Sequence, residues 1–148
     1  MESFLGILAA FGLRSWWEWR RDNQNRKKLR ATVKNELQKC ASLLKGKGML
    51  LPTMMWDSTI TSGDVKLLSY GERTKLSSIH FEIENHNYEA KRVRDSAITA
   101  QTGSRDVILD GQKASIWLWQ RLSKRFYNNE KTLRQKISEL LEEPWWSE

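Results

Sequence analysis

The feature that most constrains the fold is a long N-terminal stretch without proline, because proline cannot continue inside a helix. The first proline of the chain is Pro52. Before it, apolar residues recur at spacings of four, four, three and four positions: Leu29, Val33, Leu37, Cys40 and Leu44. This period places them on one face of a helix. The sequence therefore predicts a long amphipathic helix that runs to about Lys45 and stops at Gly46 and Gly48.

Two further long helices are expected downstream. Ser69 and Glu72 have the spacing of a capping box, so a second long helix should begin there and run toward residue 100. Its inward positions are expected to be Leu76, Ile79, Ile83 and Tyr88. After a turn at residues 101–104, a third helix ends at Pro144 and carries a heptad-like stripe: Leu118, Leu122, Phe126, Leu133, Ile137 and Leu140 or Leu141. The stretch between the first two helices should be a crossing segment whose short turns are capped by Thr53 and by Ser62 or Asp64.

Three long helices without an alternating strand pattern predict an all-α fold. The expected architecture is an elongated antiparallel three-helix bundle, whose long N-terminal helix overshoots the other two as an apolar anchor. We assign residues 1–19 to the apolar and aromatic anchor part of helix 1, and residues 20–148 to a cytosolic three-helix bundle.

The anchor prediction depends on an apolar run at the N-terminus. Residues 4–13 read FLGILAAFGL, and ten helical residues reach about 15 Å, whereas a full membrane span needs about 20 apolar residues. Tryptophans follow, where amphipathic rings prefer the headgroup layer. The side chains expected to contact lipid are Phe4, Leu5, Ile7, Leu8, Phe11, Leu13, Trp16, Trp17 and Trp19. The alternative is that this segment packs against a protein partner or against copies of itself, which the small residues between Gly6 and Gly12 would allow.

The net charge of +7 predicts an anionic partner. In an antiparallel bundle, the basic residues after the anchor and those near the end of helix 2 would meet and form a collar: Arg20, Arg21, Arg26, Lys27, Lys28, Lys91, Arg92, Arg94 and Arg105. Glu139, Glu142 and Glu143 would then lie at the far end. A lipid bilayer is the first choice of partner and nucleic acid is the second. A single cysteine fits a reducing compartment, so the expected location is the cytoplasmic side of a bacterial-type inner membrane.

Four further tryptophans are candidates for partner docking. Trp117 and Trp119 lie on different faces of helix 3, which makes that stretch apolar on more sides than a lone exposed helix tolerates. Trp145 and Trp146 should lie at the end of the bundle opposite the N-terminal tryptophans, as a docking or self-packing plug. We expect the partner to be further copies of the chain or a larger protein complex.

The nearest approach to a catalytic pattern is formed by Arg73 and His80, which lie seven positions apart and so on one helical face. In phosphodiester cleavage, the arginine would stabilise the charge of a phosphorane and the histidine would act as general acid or base. His86 is six positions from His80, a spacing that gives no helical metal pair. We therefore expect no metal site and no cofactor, and we lean against an enzyme.

The R-x6-H pair on a helix resembles the motif of HEPN-type ribonucleases, in which paired protomers bring arginine and histidine together around a scissile phosphate. With the N-terminal anchor, the layout is similar to that of small membrane-embedded accessory proteins found beside some RNA-targeting CRISPR effectors. That resemblance implies a degenerate HEPN-like helical domain, a pore-like homo-oligomer and a role in antiviral defence.

The function expected from the sequence is that of a non-enzymatic, membrane-attached helical assembly protein, either homo-oligomeric or a subunit of a larger complex. The alternatives are an HEPN-like RNA-binding or RNA-cleaving protein that uses Arg73 and His80, and a basic nucleic-acid-binding helical protein.

Overall fold

The computed structural model describes the backbone of residues 2–44, 48–102 and 109–146, and the side chains of residues 11–44, 48–95, 98 and 120–146. Within this part of the chain there are four α-helices and no strands: α1 (Glu2–Leu43), α2 (Met54–Ser62), α3 (Tyr70–Thr102) and α4 (Leu109–Leu141). Two short 3-10 helices, Asp64–Leu67 and Pro144–Trp146, complete the elements. The all-α prediction is confirmed. The predicted number of three helices is wrong, because the expected single turn after Thr53 is a helix of nine residues.

The ends of α2 and α3 are fixed by specific hydrogen bonds. The capping box of α3 is confirmed: the Ser69 amide donates to the Glu72 carboxylate at 2.5 Å, and the Glu72 amide donates to the Ser69 hydroxyl at 3.3 Å. Thr53 precedes α2 but its side chain makes no capping bond, so that prediction is wrong. Gly63 ends α2 with a φ of +76°, a left-handed conformation that glycine adopts without strain.

The core is built from the predicted apolar stripes. Of the stripe on α1, four side chains are buried and Leu29 is partly buried. On α3, Leu76, Ile79 and Ile83 are buried as predicted, but Tyr88 is 63 % exposed. Ala90 takes the inward position near that level. The buried apolar residues of α4 are Phe126, Leu133, Ile137 and Leu140, whereas Leu122 and Leu141 are half-buried. Leu118 lies outside the described side chains.

The helix directions differ from the predicted antiparallel order. Arg30 of α1 pairs with Glu72 of α3, and Glu36, further along α1, lies beside His80, further along α3. The two helices therefore run parallel. Between α3 and α4, Lys75 pairs with Glu143 and Glu82 pairs with Lys136, so these two helices are antiparallel.

The chain returns along α1 through the segment between α1 and α3. The amide of Leu51 binds the Asn87 side chain near one end of this segment, and the carbonyl of Leu67 accepts a hydrogen bond from Arg26 at the other end. The crossing segment, and not the predicted second long helix, therefore runs antiparallel to α1. This additional reversal is why α3 runs parallel to α1.

The parallel arrangement overturns the predicted basic collar. Lys91, Arg92 and Arg94 lie toward the end of α3 that is remote from Glu72, and Glu72 lies beside Arg30. They are therefore at the opposite end of the molecule from the basic residues that precede Arg30 on α1. Arg105 lies outside the described residues. Glu143, predicted to be at the far end from the N-terminal basic residues, is instead at the level of Lys75 and Arg30.

Two extensions leave the packed body in opposite directions. The N-terminal arm, residues 2–28, belongs to α1, and every described side chain from Phe11 to Lys28 is exposed except that of Asn23, which is half-buried. The distal hairpin, residues 88–125, contains the last part of α3 and the first part of α4. The packed body comprises residues 29–44, 48–87 and 126–146. α1 therefore continues beyond the packed body, and the role of this part as an apolar anchor stays a prediction.

Candidate functional site

The N-terminal arm exposes large apolar side chains that do not belong to the hydrophobic core. Five large apolar residues of the arm keep between 48 and 66 % of their solvent-accessible area: Phe11, Leu13, Trp16, Trp17 and Trp19. At about 100° per helical residue, four of them, Leu13, Trp16, Trp17 and Trp19, fall within an arc of about 160°. This arc is the apolar face of the arm. Phe4, Leu5, Ile7 and Leu8 belong to the same predicted contact, but their side chains lie outside the described ones.

The other side of the arm carries the exposed Phe11 together with charged side chains. Arg14 and Glu18 point away from the apolar face, and their side chains form an ion pair at 3.1 Å. Arg20 follows the tryptophans, and its guanidinium lies over the Trp16 ring at 5.3 Å from the centroid. By the same count Arg20 falls within the arc of the apolar face, so this cation–π contact places a positive charge on that face, next to the tryptophans. The arm is therefore amphipathic between Leu13 and Trp19.

The basic residues of the arm lie between its apolar face and the packed body. Arg20, Arg21, Arg26, Lys27 and Lys28 are all exposed. Arg26 donates a hydrogen bond of 2.6 Å to the Leu67 carbonyl, which ties the base of the arm to the segment before α3. Along the arm, apolar groups are thus followed by cationic groups and then by the body. No helix in the described stretches is both long enough and apolar enough to cross a membrane.

A polar cluster lies inside the packed body. Glu36 and His80 are 5 % and 3 % exposed, and Nε2 of His80 lies 3.5 Å from Oε1 of Glu36. The His80 ring stacks on Trp56 of α2, with 5.4 Å between the centroids and 25° between the planes. One carboxylate and one imidazole thus connect α1, α2 and α3.

Glu36 also caps α2. Its carboxylate accepts hydrogen bonds from the amides of Met55 at 2.8 Å and Trp56 at 3.3 Å, the groups that Thr53 leaves unsatisfied. Burial alone would raise the pKa of the Glu36 carboxyl, but His80 and the two amides outweigh it and hold the pKa below its ordinary value. The carboxylate is therefore charged at neutral pH, at the positive end of the helix dipole.

The Arg73 and His80 pair of the ribonuclease alternative is not displayed on the surface of this chain. His80 is enclosed by Trp56 and Glu36, whereas Arg73 is half-buried. Four surface grooves of 310 to 460 Å³ lie on the described part of the chain, and neither residue lines any of them. A phosphate group could not reach His80 without displacement of α2.

A second buried ion pair joins α1 to the start of α3. The Arg30 guanidinium lies 2.7 Å from Oε1 of Glu72, and both side chains are almost fully buried. Burial would raise the pKa of the Glu72 carboxyl, but the Ser69 amide and hydroxyl and the charge of Arg30 lower it overall. Arg30 therefore sets the level at which α3 begins beside α1.

The C-terminal tryptophans pack on the same part of α1. The rings of Trp145 and Trp146 stack at 3.9 Å, and the indole N–H of Trp146 donates to the Leu140 carbonyl at 2.7 Å. Arg30 lies over Trp145 at 5.9 Å and Lys34 over Trp146 at 6.0 Å. These rings therefore close the body at the end from which the N-terminal arm leaves, so their predicted place at the opposite end is wrong. Their self-packing agrees with one of the two expected roles. Trp117 and Trp119 lie outside the described side chains.

The single cysteine, Cys40, and the second histidine, His86, are both buried. Burial and the nearby Glu36 carboxylate raise the pKa of the Cys40 thiol to about 12, so it is protonated at neutral pH. His86 lies 3.1 Å from the Met49 carbonyl and stacks on Phe126. Among the described residues, no group of three or more histidine, cysteine, aspartate or glutamate side chains is arranged to hold a metal ion.

Sequence reasoning did not single out Glu36, although a signal was present. Glu36 lies three positions after Val33 and four before Cys40, so it shares the face of the apolar stripe. An acidic residue on such a face needs a buried partner. The sequence did not indicate which residue that partner would be.

No protein-family model, curated protein or solved structure matches this chain.

Proposed function

We propose that the chain is a non-enzymatic, membrane-attached helical protein, and that its N-terminal arm inserts the apolar face into an anionic lipid surface. The observation that carries the proposal is the exposure of Leu13, Trp16, Trp17 and Trp19 on one side of a helix that leaves the body. Such an arrangement is typical of helices that lie in the membrane interface.

The energetics favour burial of this face in lipid over its exposure to water. Transferring one large apolar side chain out of water stabilises the bound state by about 1.5–3 kcal/mol. Indole rings also suit the headgroup layer, because one edge is apolar and the N–H can remain hydrated. In the sequence, residues 4–10 precede this face and contain no polar or charged side chain.

The basic residues of the arm select an anionic surface. Each lysine or arginine near an anionic leaflet contributes about 1 kcal/mol of attraction, which decays within about 8 Å at physiological salt. Four exposed basic residues follow the apolar face along the arm: Arg20, Arg21, Lys27 and Lys28. Lipid binding should therefore need both signals, aromatic insertion and anionic headgroups.

A vesicle-binding assay tests the proposal. The full chain is sedimented with vesicles of neutral lipid alone and with vesicles that also contain 30 mol % anionic lipid. We expect binding to the anionic vesicles, at least tenfold weaker binding for Trp16→Ala/Trp17→Ala/Trp19→Ala, and weaker binding as salt is raised. The matched control, Phe81→Ala/Tyr88→Ala, removes exposed aromatic rings outside the arm and should bind as the unchanged chain does.

Self-assembly is the competing use of the same face. If the tryptophan substitutions dissolve an oligomer in the absence of lipid while vesicle binding is equal for all variants, the apolar face packs against copies of the chain and membrane attachment is wrong. Light scattering of the same samples without vesicles gives the oligomeric state directly.

A further inference from the structure

The side of α1 that faces away from the core carries a row of basic side chains. At about 100° per helical residue, the buried stripe Val33, Leu37, Cys40 and Leu44 falls within an arc of about 60°. By the same count, six basic side chains fall within an arc of about 140°, whose centre lies about 160° from that stripe. We call these six the cationic face: Arg20, Arg21, Lys27, Lys28, Lys34 and Lys39. All are exposed except Lys34, which is half-buried.

The cationic face contains no acidic side chain. Between residues 20 and 43, the acidic residues of α1 are Asp22 and Glu36. Glu36 is buried in the core, and Asp22 lies about 170° around the helix from the centre of the cationic face. Three exposed acids belong to the elements that flank α1: Asp57, Asp64 and Glu142. Even with all three set against the six cations, the charge of this surface is +3.

The cationic face continues the apolar face of the arm along the same helix. α1 is one uninterrupted helix of 42 residues. At about 100° per residue, the arc of the apolar face and the arc of the cationic face overlap by about 100°. Residues spaced by seven positions follow one another within this overlap: Leu13, Arg20, Lys27 and Lys34. A surface that lies along this side of α1 therefore meets apolar groups first and cations next.

The orientation of α1 decides whether the packed body can reach a membrane that binds the arm. An upright helix would place Lys34 and Lys39 fifteen and twenty residues beyond Trp19, about 22 and 30 Å away. Electrostatic attraction is screened beyond about 8 Å at physiological salt, so these lysines would not feel the lipid. Amphipathic helices of the interface instead lie in the membrane plane. In that orientation the cationic face is turned toward the headgroups over its whole length.

We propose that the cationic face binds the anionic headgroups of the same membrane that receives the apolar face, so that the body lies along the lipid surface. This inference rests on the proposed function of the arm and adds the orientation of the body to it. Lys34 and Lys39 are the cations of the body that bind headgroup phosphates. The body remains at the level of the headgroups, and only the arm enters the apolar layer.

The borders of the cationic face suit this position. On one side, Lys39 lines a groove of 340 Å³ together with Met54 and Met55, and Met54 is 79 % exposed. On the other side, Nζ of Lys34 lies over the Trp146 ring, at 6.0 Å from its centroid. Cations beside apolar groups fit the headgroup layer, where charged and apolar groups meet. Nucleic acid would neutralise the cations but would leave the adjoining apolar face of the arm in water.

Binding of the full chain to vesicles containing 30 mol % anionic lipid tests the contribution of the body. Lys34→Gln/Lys39→Gln should weaken binding by about fivefold for each lysine, the fold-change that corresponds to about 1 kcal/mol per cation near an anionic leaflet. Lys34→Arg/Lys39→Arg keeps both charges and should bind as the unchanged chain does. The matched control is Lys124→Gln/Lys131→Gln, which removes the same charge from exposed positions of α4 and should stay within twofold.

A fluorophore on the body tests the orientation directly. It is attached at Gln38→Cys, an exposed position about 30° from the centre of the cationic face, and the vesicles contain a lipid with a nitroxide quencher on its headgroup. The control is Ser78→Cys, exposed on α3 about 160° around that helix from His80, which lies beside α1. We expect quenching at residue 38 and none at residue 78. Both probe variants retain Lys34 and Lys39.

The outcomes separate this inference from the proposed function of the arm. If the unchanged chain binds and the tryptophan variant of the arm does not, then unquenched emission at residue 38 or full binding by Lys34→Gln/Lys39→Gln overturns this inference alone. Absence of vesicle binding by the unchanged chain overturns both. If Lys34→Gln/Lys39→Gln weakens binding to a labelled twenty-nucleotide strand and leaves vesicle binding unchanged, the cationic face binds nucleic acid instead. Circular dichroism melting establishes that each variant is folded.

Discussion

Glu36 of α1 and His80 of α3 lie 3.5 Å apart in the interior, and the same carboxylate caps α2 through the amides of Met55 and Trp56. Three helices therefore depend on a single side chain. An apolar contact would bring the helices together but would leave two amides at the start of α2 without acceptors.

Removal of this carboxylate should destabilise the fold strongly. Glu36→Ala leaves the two amides and the His80 ring without their acidic partner, and we expect the free energy of unfolding to fall by about 2–4 kcal/mol. Urea denaturation followed by circular dichroism measures the change. Glu84→Ala, at an exposed position of α3, is the matched control and should change the free energy by less than about 0.5 kcal/mol. Equal stability of the two variants would contradict the capping role.

The buried carboxyls also predict how stability depends on pH. Glu36 and Glu72 both have a pKa below the ordinary value of 4.5 in the folded chain. Each therefore stabilises the fold fully above that pH, and this contribution is lost as the pH falls through the lowered pKa. We expect the free energy of unfolding to decrease below about pH 4.5. Glu72→Gln should be less stable than the unchanged chain at pH 7, and urea titrations should show the difference shrinking at pH 3.

Ion pairs in the body should differ in strength according to burial. Arg30→Ala leaves the Glu72 carboxylate buried without its cation, so we expect a loss of about 3–5 kcal/mol in the free energy of unfolding. Lys136→Ala breaks the pair with Glu82, in which the lysine side chain is 48 % exposed, and should cost less than about 1 kcal/mol. Thermal and urea denaturation of the two variants in parallel provide the comparison. A larger loss for Lys136→Ala than for Arg30→Ala would contradict this description of the body.

The sequence predicted which faces are buried better than it predicted how the helices are arranged. Periodicity correctly placed Val33, Leu37 and Ile83 in the core, because a helical repeat depends only on neighbouring residues. Tyr88 was misplaced because it lies five positions after Ile83, off the buried face. Ala90, too small to stand out in an apolar pattern, occupies the core instead.

The direction of α3 could not be predicted from periodicity, because an amphipathic stripe is the same for parallel and antiparallel neighbours. The returning segment includes α2, whose N-terminus is stabilised by Glu36 from another helix and not by its own Thr53. A cap supplied over a sequence separation of about twenty residues leaves no local signal. Because of the same reversal, Lys91 and Arg92 do not join the predicted collar. They lie at the end of the molecule opposite the basic residues of the N-terminal arm.

We propose that the N-terminal arm, and not the body, enters a lipid surface. A polarity-sensitive fluorophore attached at Gly12→Cys reports on the apolar face, where an added side chain meets no atom within 4 Å. Ser77→Cys, exposed on α3, is the control, and Cys40 can remain because it is buried and protonated. On addition of vesicles containing 30 mol % anionic lipid, we expect a blue shift and brighter emission from the probe at residue 12, and no change at residue 77. Unchanged emission at residue 12, or equal shifts at the two positions, would contradict it.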